Sequence, residues 1–198
     1  FDDRATGKVA AFCPQAKIIH IDIDPAELDK IKTAHIGIAA DIGEALDQLL
    51  PAVLENVRKI WVDRSNQLKA ELPLDMTGAD NPRSHFGLIQ SVAACLDDEA
   101  IIATDVGQHQ MWVAQAYPLR RPRQWLTSGG LGTMGFGVPA AIGAALAERE
   151  RTVVCFTGDG SIMMNIQELV TAAEENVNLK IVLMNNAVLG LVHQQQTL

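Results

Sequence analysis

Residues 153–186 read VVCFTGDGSIMMNIQELVTAAEENVNLKIVLMNN, and this stretch decides the predicted fold. It opens with an apolar run that ends at Gly158, as buried strands of parallel sheets do. Apolar residues then recur at helical spacing, beginning with Ile162 and Ile166. A second apolar run ends at Asn186. A strand, a helix and a strand in this order predict two parallel strands joined by a crossover helix.

Two polar residues, Asp159 and Asn186, follow these two predicted strands. Because the carboxyl ends of parallel strands meet at one edge of a sheet, we expect the two residues to lie close together. One carboxylate, one amide oxygen and a nearby main-chain carbonyl suit Mg²⁺, which completes its shell with water and phosphate. Gly160 and Ser161 open the helix, so their N–H groups can face a phosphate. Gly158-Asp159-Gly160 alone would predict a plain turn, and Asn185-Asn186 alone a strand cap. Because they occur together, at the ends of consecutive strands, they predict a metal site more specifically.

The same alternation of strands and helices extends towards the amino terminus. Apolar runs typical of strands lie within 17–25, 35–41, 100–105 and 124–128, and helical patterns cover 85–96, 106–117 and 137–148. A longer helical pattern covers 42–72, and Pro51 is expected to kink or split it. Residues 73–84 are rich in Pro, Gly, Asp and Asn, which makes them the best candidate linker. The chain is therefore predicted to be an α/β protein with parallel sheets.

Composition and charge exclude several classes of function. The net charge of −8, with no basic patch to offset it, argues against non-specific nucleic-acid binding. No apolar run is long enough to cross a bilayer, so no membrane partner is predicted. The three cysteines are far apart and form no C-x-x-C pair, which fits a reducing compartment and predicts neither a zinc site nor a disulfide framework. Cys95 and Cys155 lie in apolar runs and are predicted to be core residues.

A glycine-rich stretch, GGLGTMGFGVP at residues 129–139, contains the pattern G-x-G-x-x-G at Gly130, Gly132 and Gly135. In dinucleotide-binding proteins this pattern follows a strong strand, and an acidic residue stands about 20 residues further on. Here the apolar run VVCF occupies that position. The glycines are therefore interpreted as allowing the main chain to approach a ligand closely, rather than as a dinucleotide fingerprint.

Gly158, Asp159 and Gly160, followed by the pair Asn185 and Asn186, resemble the metal–diphosphate motif of thiamine-diphosphate enzymes. Three further stretches are similar to the catalytic large subunit of acetohydroxyacid synthase (acetolactate synthase), bacterial isozyme I type: TDVGQHQMW (104–112), TSGGLGTMGFGVPAAIGAAL (127–146) and MNNAVLGLVHQQQ (184–196). The resemblance covers essentially the whole chain. It implies a three-layer thiamine-diphosphate-binding domain at 85–198, truncated at its C-terminus, after part of a Rossmann-like central domain at 1–72. The chain is accordingly expected to be a piece of a longer protein, without its N-terminal domain.

The resemblance also implies roles for residues of the site. Asp159 and Asn186 would bind Mg²⁺ through their side chains, and Val188 through its carbonyl. Thiamine diphosphate would be contacted by Val106, Gly107, Gln108, His109, Gly132, Met134, Gly158, Gly160 and Ser161. Met134 would lie under the thiamine and enforce its bent conformation. The substrate would lie near Leu191 and Gln195, in a site kept dry by apolar residues that include Met111 and Leu189.

The implied activity is thiamine-diphosphate-dependent carboligation of pyruvate with pyruvate or 2-oxobutyrate. It gives acetolactate or acetohydroxybutyrate for branched-chain amino-acid biosynthesis in the cytoplasm. In this family the glutamate that activates the cofactor lies in the N-terminal domain of a neighbouring subunit, so the chain alone is expected to be inactive. A homodimer or tetramer is implied, and a regulatory small subunit is left open. Gln195 stands where many relatives carry Trp, which implies a weaker preference for 2-oxobutyrate.

FAD is the second cofactor that the resemblance implies. Asp3, Asp22, Asp41 and Ile42 match positions near it, and acids at strand ends can bind ribose hydroxyls. The piece is not expected to retain FAD, because most of the flavin site lies upstream. Two alternatives to the leading interpretation stay open. One is another thiamine-diphosphate enzyme, such as a 2-oxo-acid decarboxylase, pyruvate oxidase or glyoxylate carboligase; the other is a non-catalytic nucleotide-binding module.

Overall fold

The computed structural model describes residues 1–198, except for the side chains of Asp3 and Arg4. The chain forms two compact units, Phe1–Pro73 and Leu74–Leu198. The boundary falls at the start of the proline- and glycine-rich segment 73–84. The later part of that segment belongs to the second unit, where the Ser84 hydroxyl accepts a hydrogen bond from Gly87 N–H at 3.0 Å. Ser84 is therefore the N-cap of the first helix of this unit.

The first unit is built on a pair of parallel strands, β1 (Ile19–Asp22) and β2 (Ile36–Ala39). Its helices are α1 (Asp3–Thr6), α2 (Ile42–Leu49) and α3 (Lys59–Glu71). The Asp41 carboxylate begins α2 by accepting a hydrogen bond from Gly43 N–H at 2.7 Å. Both strands predicted in this half of the chain are therefore present, and they pair in parallel.

The helical pattern at 42–72 is interrupted more widely than the sequence predicted. A single 3₁₀ turn, Leu50–Ala52, follows α2, and residues 53–58 are not helical before α3 begins. Pro51 has no N–H with which to continue the helix. Arg58 has a left-handed conformation, with a φ of +45°, which an α-helix does not tolerate. The pattern therefore gives two separate helices.

The second unit contains a four-stranded parallel sheet in the order β4-β3-β5-β6. The strands are β3 (Ile101–Thr104), β4 (Trp125–Thr127), β5 (Val153–Gly158) and β6 (Leu179–Met184). The predicted α/β fold with parallel strands is confirmed. Because every pair is parallel, the carboxyl ends of all four strands lie at the same edge of the sheet.

The helices of the second unit are α4 (His85–Ala94), α5 (Gln108–Ala116), α6 (Gly137–Ala147), α7 (Asp159–Ile162), α8 (Glu168–Glu174) and α9 (Gly190–Thr197). The single helix predicted after β5 is divided into α7 and α8. In the turn between them, Asn165 Nδ2 donates a hydrogen bond to the Gly135 carbonyl at 2.8 Å, so a tertiary contact accompanies the break. None of the helices in the described part of the chain has the length and apolar character of a membrane span.

Helices pack on both faces of this sheet, which gives three layers. One face packs against α6, in a cluster of Ile101, Ala103, Val138, Ala141, Ile142, Ala145, Val153 and Cys155. The other face packs against α4 and α5, in a cluster of Ile89, Ile102, Val113, Tyr117, Val154 and Phe156. Successive residues of β3 and β5 alternate between the two clusters, as the pleat of a strand requires. All of β5 is buried, because it has a neighbouring strand on each side and helices above and below.

The two cysteines predicted to lie in the core have different environments. Cys155 is buried in β5, where burial raises the pKa of its thiol to about 12 and the charge of Asp105 acts in the same direction. Cys95 is exposed, so the predicted core position is wrong for this residue. Cys95 is the C-cap of α4, and its neighbours Ala93 and Leu96 pack against the core, so the exposure of Cys95 reflects the side of the chain on which it stands.

We expect two of the three thiols to react rapidly with an aromatic disulfide reagent in the native chain at about pH 8, and the third to react only after unfolding. Cys13 and Cys95 are exposed, whereas Cys155 is buried and protonated at that pH. Absorbance titration before and after addition of guanidinium chloride counts the two classes. Cys155→Ala should lose the slow class alone. Rapid reaction of all three thiols in the wild type would contradict the burial of Cys155.

Candidate functional site

A cavity of about 610 Å³ opens at the carboxyl edge of the four-stranded sheet. Its walls are formed mainly by the segments that follow β3, β5 and β6 and by the glycine-rich segment between β4 and α6. These segments are distant in sequence, and the parallel strands bring them to the same edge. Open α/β sheets bind their ligands at this position.

Asp159 and Asn186, the two predicted metal ligands with side-chain donors, lie next to each other in this cavity. Asp159 follows β5 directly, and Asn186 comes two residues after the end of β6. The two strands are paired up to Gly158 and Met184. The main-chain N–H of Asn186 lies 3.4 Å from Asp159 Oδ1. The two residues therefore meet at one edge of the sheet, as the predicted strand arrangement requires.

The segment after Asn186 turns sharply at the cavity wall. Asn186 Oδ1 accepts a hydrogen bond from Val188 N–H at 3.1 Å, and Ala187 between them has a φ of +58°. An amide oxygen has two lone pairs, so Asn186 can accept this hydrogen bond and still bind a cation. Val188 also lines the cavity. Asp159, Asn186 and Val188 thus offer carboxylate, amide and main-chain oxygens, the donor type that Mg²⁺ prefers.

Other kinds of metal centre are not formed by the described residues. Among them, no three His, Cys, Asp or Glu side chains are grouped so that they could hold a metal ion. A structural zinc site needs about four such ligands. The candidate metal site therefore depends on amide and main-chain oxygens as well as on one carboxylate, and leaves coordination positions for a ligand.

All residues predicted to contact thiamine diphosphate line this cavity: Val106, Gly107, Gln108, His109, Gly132, Met134, Gly158, Gly160 and Ser161. Gly160 lies close to the Leu189 side chain, since a methyl group on it would lie 2.6 Å from Leu189 Cδ2, which would have to move aside. The Ser161 hydroxyl donates to the Val106 carbonyl at 2.9 Å and ties α7 to the segment after β3. That hydroxyl is therefore used within the protein, and a phosphate would be met by the main-chain N–H of Ser161.

His109 is a buried polar residue in the cavity wall. It is 5% exposed, and its Nε2 has no hydrogen-bond partner among the described residues. Burial lowers the pKa of its imidazole, against the opposing effects of the Asp105 charge, a hydrogen bond to the Asp105 main chain and the Asp159 charge. A neutral imidazole with an unpaired ring nitrogen beside a cavity indicates a place for a ligand atom.

We expect the stability of the ligand-free chain to fall as the pH drops below about 6.5, in part because of His109. The pKa of His109 is lower in the folded than in the unfolded chain, so unfolding takes up a proton in this range and acid favours the unfolded state. Urea unfolding at pH values of about 7.5 and 5.5 measures the effect. Between the higher and the lower pH, His109→Gln should lose less unfolding free energy than the wild type loses.

A matched control for that experiment is His193→Gln, at an exposed position of α9. This variant gives the change in unfolding free energy that follows from replacing an exposed histidine, against which the His109→Gln change is compared. If the difference between His109→Gln and the wild type were independent of pH, or shifted in favour of the wild type in acid, the buried neutral state of His109 would be contradicted.

Met134 and Gly132 bring the glycine-rich segment to the cavity. Gly132 has a φ of +67° and Gly135 a φ of +89°, conformations that residues with a side chain rarely adopt. Met134 Cε lies 3.8 Å from the position that a methyl group on Gly160 would occupy. The Met134 side chain therefore faces the segment that carries Asp159, and the two glycines set the main-chain path on either side of it.

Of the residues predicted to lie near the substrate, some line the cavity and others do not. Leu189 and Leu191 line the cavity. Met111 is not part of the cavity wall and is 53% exposed, so the structure does not bring it to this cavity. The inward face of α5 carries His109 and Val113, one helical turn apart, and Met111 lies between them on another face. Gln195 is exposed on α9 and is not part of the cavity wall.

The acids predicted to lie near FAD belong to the first unit. The Asp3 side chain lies outside the described residues. Asp22 ends β1 and accepts a hydrogen bond from Asp24 N–H at 2.9 Å, and Asp41 caps α2. Ile42 is 55% exposed. Asp22 ends β1 and Asp41 comes two residues after β2, so both lie at the carboxyl edge of that strand pair, but each carboxylate already binds a local main-chain N–H.

Two residues that the sequence patterns did not single out hold the glycine-rich segment in place. The buried Asp105 carboxylate accepts hydrogen bonds from main-chain N–H groups of that segment, and Asn165 donates to its Gly135 carbonyl. Asp105 directly follows a buried strand, as Asp159 does, and this shared position is the signal that could have identified it. The sequence carries no comparable signal for Asn165.

Both units match one family of known proteins. Residues 105–198 match the family described as thiamine pyrophosphate enzyme, C-terminal TPP binding domain. Residues 1–49 match the family described as thiamine pyrophosphate enzyme, central domain. The chain therefore belongs to the thiamine pyrophosphate enzymes.

Within this family the whole chain is similar to acetolactate synthases. It is 64% identical over 198 residues to the acetolactate synthase isozyme 1 large subunit of Escherichia coli (strain K12), covering 100% of this chain and 35% of that protein. It is 49% identical over 201 residues to acetolactate synthase 2, chloroplastic, of Brassica napus and 47% identical over 201 residues to the chloroplastic enzyme of Arabidopsis thaliana. These matches cover 98% of this chain and 31% and 30% of the plant proteins. The chain spans about a third of the length of these relatives.

Proposed function

We propose that the second unit binds thiamine diphosphate through Mg²⁺, held by the side chains of Asp159 and Asn186 and the carbonyl of Val188. The observation that supports this most directly is the 3.4 Å approach of Asn186 N to Asp159 Oδ1 at the carboxyl edge of the sheet. Hard oxygen donors suit Mg²⁺, and water and the diphosphate would complete its shell. The diphosphate would also supply negative charge that the single carboxylate does not.

The cavity fits the rest of such a ligand. Its volume of about 610 Å³ is within the range of pockets that enclose small molecules. The main-chain N–H groups at the start of α5 are donors suited to a diphosphate. The unpaired Nε2 of His109 would donate to the diphosphate once it is protonated, because the other ring nitrogen already binds the Asp105 main chain. A methyl group on Gly158 would lie 3.2 Å from the His109 ring, so glycine there leaves the ring its place.

The residues of this chain would bind and orient the cofactor and exclude water. When bound, thiamine diphosphate supplies the carbanion chemistry of the reaction. Asp159, Asn186 and Val188 would anchor its diphosphate end, and Met134 would support its rings. Leu189 and Leu191 would provide apolar walls that keep water from the reacting atoms. The glutamate that the family resemblance assigns to activation belongs to another domain and is not among these 198 residues.

For the whole protein we infer carboligation of pyruvate with pyruvate or 2-oxobutyrate, which gives acetolactate or acetohydroxybutyrate. This inference is supported by the similarity to acetolactate synthases, which extends along the entire chain. The E. coli relative is a large subunit by name, which supports a regulatory small subunit as a partner. A homodimer or tetramer, a cytoplasmic location and the proximity of Gln195 to the substrate stay predictions from the resemblance.

A chimera tests this proposal, with this chain in place of the matching segment of the E. coli large subunit. With pyruvate, Mg²⁺ and thiamine diphosphate we expect acetolactate as the product, and no product after a chelator removes the metal. The 198-residue chain alone should form none. Acetaldehyde or acetyl phosphate as the main product would assign the site to a different thiamine-diphosphate enzyme. Failure of the folded chimera to bind thiamine diphosphate in calorimetry would overturn the cofactor proposal.

FAD is proposed as a second cofactor of the whole protein, near Asp3, Asp22, Asp41 and Ile42 of the first unit. Its support is the family match over residues 1–49 and the position of Asp22 and Asp41 at one edge of a parallel strand pair. The absorbance of bound flavin after purification tests it. We expect flavin in the chimera and none in the 198-residue chain; a chimera that is active but free of flavin would contradict this assignment.

A further inference from the structure

A buried carboxylate holds the glycine-rich segment beside the cavity. Asp105 is fully buried, and its own main-chain N–H donates to the Phe156 carbonyl at 2.9 Å, which fixes it to β5. Its Oδ1 accepts from Gly135 N–H at 2.8 Å and from Val106 N–H at 2.8 Å, and its Oδ2 accepts from Gly137 N–H at 2.9 Å. A buried charge is strongly unfavourable unless such bonds compensate it. These contacts therefore fix the segment to the sheet.

Asn165 holds the same segment from a different element, the turn between α7 and α8. Its Nδ2 donates to the Gly135 carbonyl at 2.8 Å. A methyl group on Gly135 would lie 2.7 Å from Asn165 Nδ2 and 2.8 Å from Met164 Cβ, so the approach is close. Both the N–H and the carbonyl of Gly135 are thus bound by side chains. We call Asp105, Gly135, Gly137 and Asn165 the clamp.

We propose that Asp105 and Asn165 are positioning residues, which act through the clamp to set the place of Met134 in the cofactor cavity. This inference rests on the proposed binding of thiamine diphosphate. The Gly135 N–H bound by Asp105 belongs to the peptide bond that joins Gly135 to Met134. Met134 lines the cavity, whereas neither Asp105 nor Asn165 does. Asn165 therefore reaches the ligand only through the main chain on which Met134 stands, whereas Asp105 also binds the N–H of Val106, which lines the cavity.

A positioning residue affects the binding of one part of the ligand, whereas a residue that only stabilises the fold affects the binding of all parts. Met134 stands on the glycine-rich segment, and by the proposed function it meets the thiamine rings. Asp159 and Asn186 stand on the segments after β5 and β6, and they meet the metal and the diphosphate. Loosening the clamp at Asn165, which contacts the glycine-rich segment at Gly135, should therefore weaken binding of the rings and leave the binding of Mg²⁺ and a bare diphosphate group intact.

The test compares two ligands in the chimera by calorimetry: thiamine diphosphate with Mg²⁺, and inorganic pyrophosphate with Mg²⁺. In Asn165→Ala the affinity for thiamine diphosphate should fall by about tenfold, as expected when a hydrogen bond is removed and its carbonyl is left unpaired. The affinity for pyrophosphate should stay within about twofold of the wild type. Asn178→Ala is the matched control, because Asn178 is exposed in the same unit and binds Lys180 Nζ; it should change neither affinity.

Hydrogen exchange of the ligand-free full chain gives a readout that does not depend on the cofactor. In Asn165→Ala, peptides that cover residues 130–138 should exchange about tenfold faster, while peptides from β5 are unchanged. Asp105→Asn should have a larger effect, because an amide nitrogen would face a main-chain N–H in place of an accepting oxygen. Its circular-dichroism spectrum shows whether it folds, and Asn165→Ala carries the test if it does not.

The outcomes separate this inference from the function on which it rests. Equal affinity of wild type and Asn165→Ala for thiamine diphosphate, or equal losses for thiamine diphosphate and pyrophosphate, would overturn the positioning role alone. Unchanged exchange at residues 130–138 in both variants would overturn the clamp itself. Failure of the wild-type chimera to bind thiamine diphosphate would overturn the proposed function and this inference together.

Discussion

Replacing Asp159 with alanine is expected to lower the affinity of the chimera for thiamine diphosphate and Mg²⁺ by more than about 100-fold. Residues that only support a metal ligand typically contribute about 10- to 100-fold, and Asp159 is proposed to bind the metal directly. It is also the one carboxylate of the proposed donor set, so its loss removes the charge that attracts the cation. Calorimetric titration with thiamine diphosphate at saturating Mg²⁺ measures the change.

Asp98→Ala is the matched control for Asp159→Ala. Asp98 is an exposed carboxylate of the same unit, before β3 at the amino edge of the sheet, and it pairs with Arg120 at 3.2 Å. Exposed ion pairs contribute little, so this variant should bind the cofactor like the wild type. Retention of affinity within about tenfold by Asp159→Ala would contradict its role as a metal ligand.

Replacing Gly137 with alanine is expected to destabilise the second unit by about 1–3 kcal/mol, the usual cost of overpacking a well-filled site. The added methyl group would lie 2.7 Å from Asp105 N and 2.9 Å from Asp105 Cβ. Asp105 cannot move aside easily, because its N–H is bound to Phe156 and its carboxylate to the main chain of the glycine-rich segment. For a chain of this size the midpoint of thermal unfolding should fall by roughly 2–12 °C.

Gly143→Ala, in the same helix α6, is expected to have the opposite sign. Gly143 is exposed, and an added methyl group there meets no atom within 4 Å. Alanine inside a helix is more stable than glycine by about 0.5–1 kcal/mol, so this variant should unfold at a slightly higher temperature. Equal effects of the two substitutions in scanning calorimetry would show that helix propensity, and not the contact with Asp105, decides the outcome at position 137.

The meeting of Asp159 and Asn186 could be predicted because it depends on simple local patterns. Apolar runs marked β5 and β6, the helical pattern between them implied a parallel crossover, and parallel strands end at one edge. The residues after both strands had to lie together. The same reasoning did not extend to helix interiors. The break between α7 and α8 coincides with the Asn165 contact to Gly135, which no periodicity in the sequence records.

Burial was predicted less well at the ends and sides of helices. Cys95 stands in an apolar run, and the resemblance implied that Met111 lies beside the substrate, yet both are exposed. Cys95 follows the last residue of α4 and lines an open groove, and Met111 lies on a face of α5 other than the one that carries the buried His109 and Val113. Hydropathy measures the residue and its neighbours in the chain, whereas burial depends on which face of the helix meets the rest of the core.

By itself, the sequence determined the alternation of strands and helices, the parallel sheet and the polar residues at its carboxyl edge. It could do so because the spacing of apolar residues and the ends of strands are local properties of the chain. Only the tertiary structure decided the clamp, the burial of His109 and the fixed position of Met134. Asp105 and Gly135 are 30 residues apart on different elements, and no spacing rule joins them. Their contact exists because packing α6 onto β3 brings a buried carboxylate against main-chain N–H groups that need an acceptor.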